Sequence, residues 1–121
     1  MAYQFSFEKL HVWIDSKELV KVIYSVTGKF PNEEKFGLTN QLRRAAISVA
    51  SNLAEGTSRK TNKDKAYFTT IAFSSLMEVL NQIIIARELH FLKTEKYVEI
   101  RNMIEKIANK LNALRKSQRV G

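Results

Sequence analysis

The sequence predicts an all-α protein, an antiparallel up-and-down four-helix bundle that forms a single domain over residues 1–121. Three observations predict this fold. Apolar residues recur every three or four positions, no segment alternates with the period of a strand, and residues 57–120 contain neither glycine nor proline. The chain is 45% hydrophobic, which suffices for a packed core and excludes a disordered protein.

The first helix is predicted over residues 7–27. It should end at Gly28, because glycine suits the left-handed residue that follows a helix, and Pro31 cannot continue one. The apolar stripe of this helix consists of Leu10, Trp13, Val20, Ile23 and Thr27.

The second helix is predicted to begin after Gly37, with Thr39 or Asn40 as its N-cap, and to end at Gly56. Its stripe steps by four and three residues, as the buried face of a helix does. The stripe consists of Leu38, Leu42, Ala46, Val49 and Leu53.

Residues 57–120 are too long for one globular helix, so a turn is predicted at residues 91–94. The third helix should be capped at Thr61-Asn62 and the fourth at Thr94. The third stripe consists of Phe68, Ile71, Ala72, Ser75, Val79, Ile83 and Ala86. The fourth is a heptad seam of Tyr97, Ile100, Ile104, Ile107, Leu111 and Leu114.

The third helix is apolar on more than one face. A helix that is apolar nearly all round must be buried nearly all round, whereas each helix of a four-helix monomer keeps a wet face. The pattern therefore predicts self-association, and the alternative is a merely wide core stripe. The apolar residues outside the stripe are Phe73, Leu76, Met77, Leu80 and Ile84.

The charge of the chain is strongly asymmetric. The formal net charge is +8, of which residues 1–56 carry +1 and residues 57–121 carry +7. Such an excess indicates an acidic partner, most commonly nucleic acid. No apolar run reaches the length of a membrane span, and residues 1–10 lack the features of a signal peptide. A soluble, cytoplasmic protein is therefore expected.

Two clusters of cations are the candidate nucleic-acid-binding residues. Clustered, mobile cations are all that contact with backbone phosphates requires, and the alternative is a solvated face. No motif for reading bases is present, and Tyr3, Phe5 and Phe7 are expected to pack against the bundle rather than stack on bases. The predicted phosphate contacts are Arg59, Lys60, Lys63, Lys65, Lys110, Arg115, Lys116 and Arg119.

The sequence offers little catalytic chemistry. There is no cysteine, and His11 and His90 have no partner at metal-ligand spacing, so we expect no metal, no cofactor and no catalytic residue. A buried ion-pair and hydrogen-bond network that fixes helix register is predicted for Arg43, Asn52, Glu55 and Glu78. The alternative is that Glu55 and Glu78 form a carboxylate pair that holds a metal or acts as acid and base in an RNA-processing enzyme.

Four segments of the chain resemble a known family. They are 7–13 (FEKLHVW), 30–45 (FPNEEKFGLTNQLRRA), 48–56 (SVASNLAEG) and 68–78 (FTTIAFSSLME). The resemblance is to the bacterial four-helix-bundle family named for open reading frames in 23S rRNA intervening sequences, also called the S23 ribosomal protein family. The chain is also similar to the accessory variability protein of diversity-generating retroelements. The resemblance implies a ring-like homo-oligomer, expected to be a pentamer.

Together these observations predict a non-enzymatic, homo-oligomeric nucleic-acid-binding protein that contacts phosphates through a basic surface. RNA is favoured over DNA only because of the resemblance. The alternative is a protein-interaction scaffold that docks a reverse-transcriptase-like or other acidic partner.

Overall fold

Four long helices make up the protein. The computed structural model describes residues 2–120, without the side chain of Val120, and contains no strand in that part of the chain. Two short 3-10 helices, Ser6–Lys9 and Asn32–Glu34, precede the first and second long helices. The long helices are α1 (His11–Thr27), α2 (Leu38–Thr57), α3 (Asn62–Glu88) and α4 (Thr94–Val120). The predicted all-α, four-helix fold is confirmed.

The helices pack in the order in which they occur in the chain. Consecutive helices pack closely against each other, and α1 also packs against α4, whereas the backbones of the diagonal pairs do not approach each other within the described residues. Short connections between consecutive neighbours make the helices run alternately up and down. The buried core that they share includes Leu19, Ile23, Leu42, Leu76, Ile83, Ile100, Ile107 and Leu111.

The core face of α1 differs from the predicted stripe. The helix begins at His11, four residues later than predicted, because Ser6–Lys9 forms a separate 3-10 turn. Leu10, Trp13 and Val20 are only half-buried. The face that is buried includes a serine, whose hydroxyl donates to the carbonyl of Val12 and so needs no water. This face consists of Val12, Ser16, Leu19, Ile23, Val26 and Thr27.

The glycines differ most from their predicted roles. Gly28 has a φ of −61°, so α1 ends without a left-handed residue. Gly37 takes the N-cap position of α2 in place of Thr39 or Asn40, and a Glu34 carboxylate oxygen accepts the Leu38 N–H at 3.1 Å. Gly56 lies inside α2, which continues to Thr57.

Gly56 is required by the packing of α2 on α3. A β-carbon added to Gly56 would lie 2.9 Å from the β-carbon of Phe68, closer than such atoms normally approach. The absence of a side chain therefore lets the two helices approach each other. Gly56, which the sequence pattern indicated as the end of the helix, is instead a residue at which α2 packs closely on α3.

The third and fourth helices begin close to their predicted positions. The Thr61 hydroxyl accepts the Asp64 N–H at 3.1 Å, which confirms the predicted cap of α3. Thr94 is the first residue of α4, with the Tyr97 N–H donating to the Lys93 carbonyl at 2.9 Å, so the predicted cap is displaced by one residue.

The turn after α3 uses a strained histidine. His90 has a φ of 65°, the only positive value among the described residues. The Phe91 N–H donates to the Ala86 carbonyl and the His90 N–H to the Arg87 carbonyl, both at 2.9 Å. This is the pattern of a helix end that normally carries glycine at the position of His90.

Replacing His90 by glycine is expected to raise the free energy of unfolding by about 1 kcal/mol, because glycine adopts the left-handed conformation without a β-carbon clash. Urea unfolding followed by circular dichroism measures the change. H90A is the matched control, because alanine keeps the β-carbon and should gain nothing. A variant H90G no more stable than H90A would contradict this account of the turn.

The apolar surface of α3 is only partly covered within one protomer. Leu76 is buried, Phe73, Met77 and Leu80 are half-buried, and Ile84 is exposed. By length and composition alone, α3 could cross a membrane, with 39% of its most apolar window buried in the bundle. In the structure α3 packs between α2 and α4 and supplies core residues, as a helix of a bundle does.

Candidate nucleic-acid interface

The fold brings both predicted basic clusters to one end of the bundle. The first turns of α3 lie beside the last turns of α4, because these helices are antiparallel. The Thr69 hydroxyl donates to the Gln118 side-chain oxygen at 2.8 Å, and Arg115 donates to the Thr70 hydroxyl at 3.4 Å. We call this surface the basic end, and its cations are Arg59, Lys60, Lys63, Lys65, Arg115, Lys116 and Arg119, with Lys9 beside them.

Four cations of the basic end are open to a ligand. Lys60, Lys63, Lys116 and Arg119 are exposed, and none has an ion pair or a side-chain hydrogen bond with another described residue. Mobile lysine and arginine side chains of this kind suit phosphate oxygens along a variable backbone path.

Two arginines of the basic end are held against aromatic rings. The Arg59 guanidinium lies 4.5 Å from the centre of the Phe68 ring, and that of Arg115 lies 5.3 Å from the centre of the Phe73 ring. Arg115 also donates to the Asn112 side-chain oxygen at 2.8 Å. These contacts orient the guanidinium groups while keeping their charge, which lowers the entropy lost when an anion binds.

The carboxylates near the basic end do not cancel its charge. Asp64 lies in the first turn of α3, where a negative charge is favoured by the helix dipole. Glu8 accepts the Phe5 N–H at 2.9 Å, and Glu55 is exposed in the last turns of α2. Among the described residues, eight cations of this end stand against three carboxylates, which gives it a positive potential.

The position of Lys110 corrects the predicted set of phosphate contacts. Its ammonium group forms an ion pair with Asp15 of α1, and the two side chains are only 35% and 24% exposed. The pair joins α1 to α4 about one and a half turns before the basic end begins at Arg115. Lys110 is therefore engaged in helix packing, which sequence spacing along α4 alone could not show.

The predicted buried network is wrong for the protomer. Arg43 donates to the Thr27 hydroxyl at 2.9 Å, and Asn52 donates to the Ser48 carbonyl at 2.8 Å. Glu55 and Glu78 are exposed. Glu78 has apolar neighbours in sequence, but neighbours at i±1 lie on other faces of a helix and do not bury it.

A different polar contact joins α2 to α3. The hydroxyls of Ser48 and Ser75 lie 2.8 Å apart, and the Asn52 side chain donates to Ser48 as well. Sequence reasoning missed this contact, although both serines lie in the segments that carry the family resemblance. Small hydroxyl residues facing each other across two helices were the available signal.

The two glutamates do not form a catalytic pair within the protomer. Glu55 adjoins Gly56, which packs on Phe68, whereas Glu78 lies ten residues farther along α3, about 15 Å at 1.5 Å per residue. Nor do the described residues contain a group of three or more His, Asp or Glu side chains that could hold a metal ion. Neither observation indicates catalysis.

A cleft of about 780 Å³ opens at the opposite end of the bundle. Its lining includes Lys29, Arg87, His90, Lys93 and Lys96, so this end also carries cations. Lys96 is paired with Glu99 at 3.1 Å. Any test of the basic end therefore needs the cations of this second end as its control.

Comparison with known proteins found a matching family and a solved structure with a similar fold. The family model described as 23S rRNA-intervening sequence protein matches residues 8–113. The chain is also similar to the crystal structure of a protein of unknown function from the S23 ribosomal protein family of Bacteroides thetaiotaomicron VPI-5482. The two share 20% sequence identity with a TM-score of 0.78, over 87% of this chain and 98% of the other.

A search of curated proteins found no match. The family model ends before Arg115, so three of the cations at the basic end lie outside the part of the chain that defines the family. Its match nevertheless spans α1, α2, α3 and most of α4. The chain belongs to the 23S rRNA-intervening sequence protein family.

Proposed function

We propose that the protein is a non-enzymatic, cytoplasmic nucleic-acid-binding protein that contacts backbone phosphates through its basic end. The observation that carries the proposal is the meeting of two basic clusters, distant in sequence, at one end of the bundle. Four of their cations have no ion pair among the described residues. Two arginines, Arg59 and Arg115, are oriented by cation-π contacts with aromatic rings. Such a surface binds phosphates without reading base sequence.

RNA is the proposed ligand. Phosphate contacts alone do not separate RNA from DNA, so this choice is supported only by the family, whose name refers to sequences within 23S rRNA. The same cations would also attract an acidic protein, and docking of a reverse-transcriptase-like partner is the outcome to consider if RNA does not bind.

We also propose that the protein acts as a homo-oligomer, in the ring, expected to be pentameric, that the family resemblance implies. The apolar side chains of α3 support self-association. Ile84, 38% exposed, continues the half-buried row of Phe73, Met77 and Leu80, and Ile85, 41% exposed, lies on the adjacent face. Covering such a row by a second copy would remove apolar surface from water.

The test is a titration of the purified protein against a labelled RNA at several salt concentrations. We expect tight binding at low salt, weakening with a slope of about −0.7 to −0.9 in log affinity against log salt for each neutralised phosphate. A slope that corresponds to four or more neutralised phosphates would support the proposal. Sedimentation of the same samples measures the assembly. An absence of binding at low salt would reject the RNA-binding proposal and favour the acidic protein partner.

A further inference from the structure

Three aromatic side chains at or beside the basic end are strongly exposed. Tyr3 is 78% exposed, Phe5 is 60% exposed and Tyr67 is 62% exposed. The prediction that Tyr3 and Phe5 pack against the bundle is therefore wrong, whereas Phe7 is half-buried against Trp13 with ring centres 5.0 Å apart. Exposure of an aromatic ring to water is unfavourable, and a ligand that covers the ring gains free energy of binding.

Tyr3 and Phe5 form a pair that is anchored beside the basic end. Their ring centres lie 5.0 Å apart at an interplanar angle of 83°. The Phe5 N–H donates to the Glu8 carboxylate at 2.9 Å, and the Glu8 N–H donates to the Phe5 carbonyl at 3.1 Å. Ser6 and Lys9 line one groove together with Lys65 and Gln118, so the adjoining pair is next to the cations.

Tyr67 belongs to a second row of flat groups. It lies one turn after Lys63, so the two side chains share a face of α3. Its ring meets that of Phe68 edge-on, with centres 5.6 Å apart, and the Arg59 guanidinium lies over Phe68. Unpaired bases stack on tyrosine rings and on arginine guanidinium groups, and both lie here beside exposed lysines that can contact the phosphates.

We infer that the basic end binds single-stranded RNA in preference to duplex, with Tyr3, Phe5 and Tyr67 stacking on unpaired bases while the neighbouring cations hold the phosphates. The inference rests on the proposed function and specifies its ligand. Duplex bases are already stacked and lie inside the helix, where aromatic side chains on a protein surface do not reach their faces. In a single strand, every base offers a free face.

An anionic membrane is the other partner that attracts exposed aromatic and basic side chains. Single-stranded RNA is favoured because only three strongly exposed rings lie at or beside this end among the described residues. Two of the three rings carry a phenol hydroxyl, and the four exposed cations Lys60, Lys63, Lys116 and Arg119 are not part of a continuous apolar helix face among the described residues. Vesicle binding is therefore an outcome that the experiment must distinguish.

The experiment compares one RNA of about 16 nucleotides, without self-complementarity, as a single strand and annealed to its complement. The ligands are offered to the intact protein and to the variant Y3A/F5A/Y67A. We expect the wild type to prefer the single strand. The variant should lose about tenfold in single-strand affinity for each ring that stacks, with unchanged duplex affinity and an unchanged salt slope, because all charges remain.

The matched control is F36A/L89A, which removes two exposed apolar side chains, 86% and 50% exposed, at the opposite end. It should bind both RNAs like the wild type. Thermal melting of all variants checks that the fold is kept. Vesicles that contain phosphatidylserine serve as the third ligand.

The outcomes separate the inference from the proposed function. Equal single-strand affinity for variant and wild type, or a wild-type preference for duplex, would overturn the stacking inference and leave the phosphate-binding proposal standing. Vesicle binding that depends on the three rings, with no effect on RNA, would assign them to a membrane. No RNA binding at low salt by the wild type would reject the proposed function itself.

Discussion

Replacing Lys60, Lys63, Lys116 and Arg119 by glutamine is expected to weaken RNA binding by about 100- to 1000-fold at about 50 mM salt. These four cations are exposed and unpaired among the described residues, so their removal leaves no buried charge and should not disturb folding. The salt dependence should also become shallower, by about 0.7 in slope for each phosphate contact that is lost. Fluorescence anisotropy over a range of salt concentrations measures both changes.

The matched control removes four cations from the opposite end, Lys29, Lys35, Lys93 and Lys96, again by glutamine. Net charge then falls by the same amount, so a general effect of charge would lower affinity equally in both variants. We expect the control to keep most of its affinity and nearly all of its slope. The reverse result would move the interface to the cleft lined by Lys29 and Lys93.

Replacing Gly56 by alanine is expected to lower the free energy of unfolding by about 1–2 kcal/mol. Alanine is a better helix former than glycine by about 0.5–1 kcal/mol, so an unobstructed position inside α2 would gain stability. Here the new β-carbon would lie 2.9 Å from that of Phe68. Separating α2 from α3 to relieve this overlap costs about 1–3 kcal/mol, which outweighs the gain in helix propensity.

Gly28 provides the matched control for this substitution. Its φ of −61° suits any residue, and an added β-carbon would meet only two carbonyl oxygens at 3.5 Å, an ordinary contact. G28A should therefore raise stability by about 0.5 kcal/mol, opposite in sign to G56A. Urea unfolding of both variants measures the difference. If G56A is as stable as G28A, the close approach of α2 and α3 is not what requires glycine.

The helices themselves could be predicted because their signals are local. The stripe of α4 follows from spacing alone, and five of its six predicted residues are buried. The cap at Thr61 follows from the preference of a hydroxyl for a free helix N–H. In α1 the predicted stripe and the buried face are two different apolar stripes that overlap, and spacing alone did not separate them. Nor did spacing show that Ser16, whose hydroxyl donates to the Val12 carbonyl, belongs to the core.

The candidate site could be predicted only in outline. Both basic clusters are visible in the sequence, and an up-and-down bundle places the start of α3 beside the end of α4. The pairing of Lys110 with Asp15 joins residues 95 positions apart, so no local pattern reports it. The stripe predicted for α3 is buried from Ala72 to Ala86 and already placed Glu78 on another face of the helix. The prediction that Glu78 is buried came instead from its apolar neighbours at i±1, which do not share its face.

The even number of helices has a practical consequence for the design of probes. The segment before α1 and the last turn of α4 emerge at the same end, which is the basic end. A purification tag at either terminus would therefore sit beside the proposed ligand and should be cleaved before any titration. Phe36 is highly exposed at the end of the bundle opposite the basic end, and it is the better place for a fluorophore. The chain has no cysteine, so a cysteine introduced there would be labelled selectively. A single F36C label would report on binding without obstructing it.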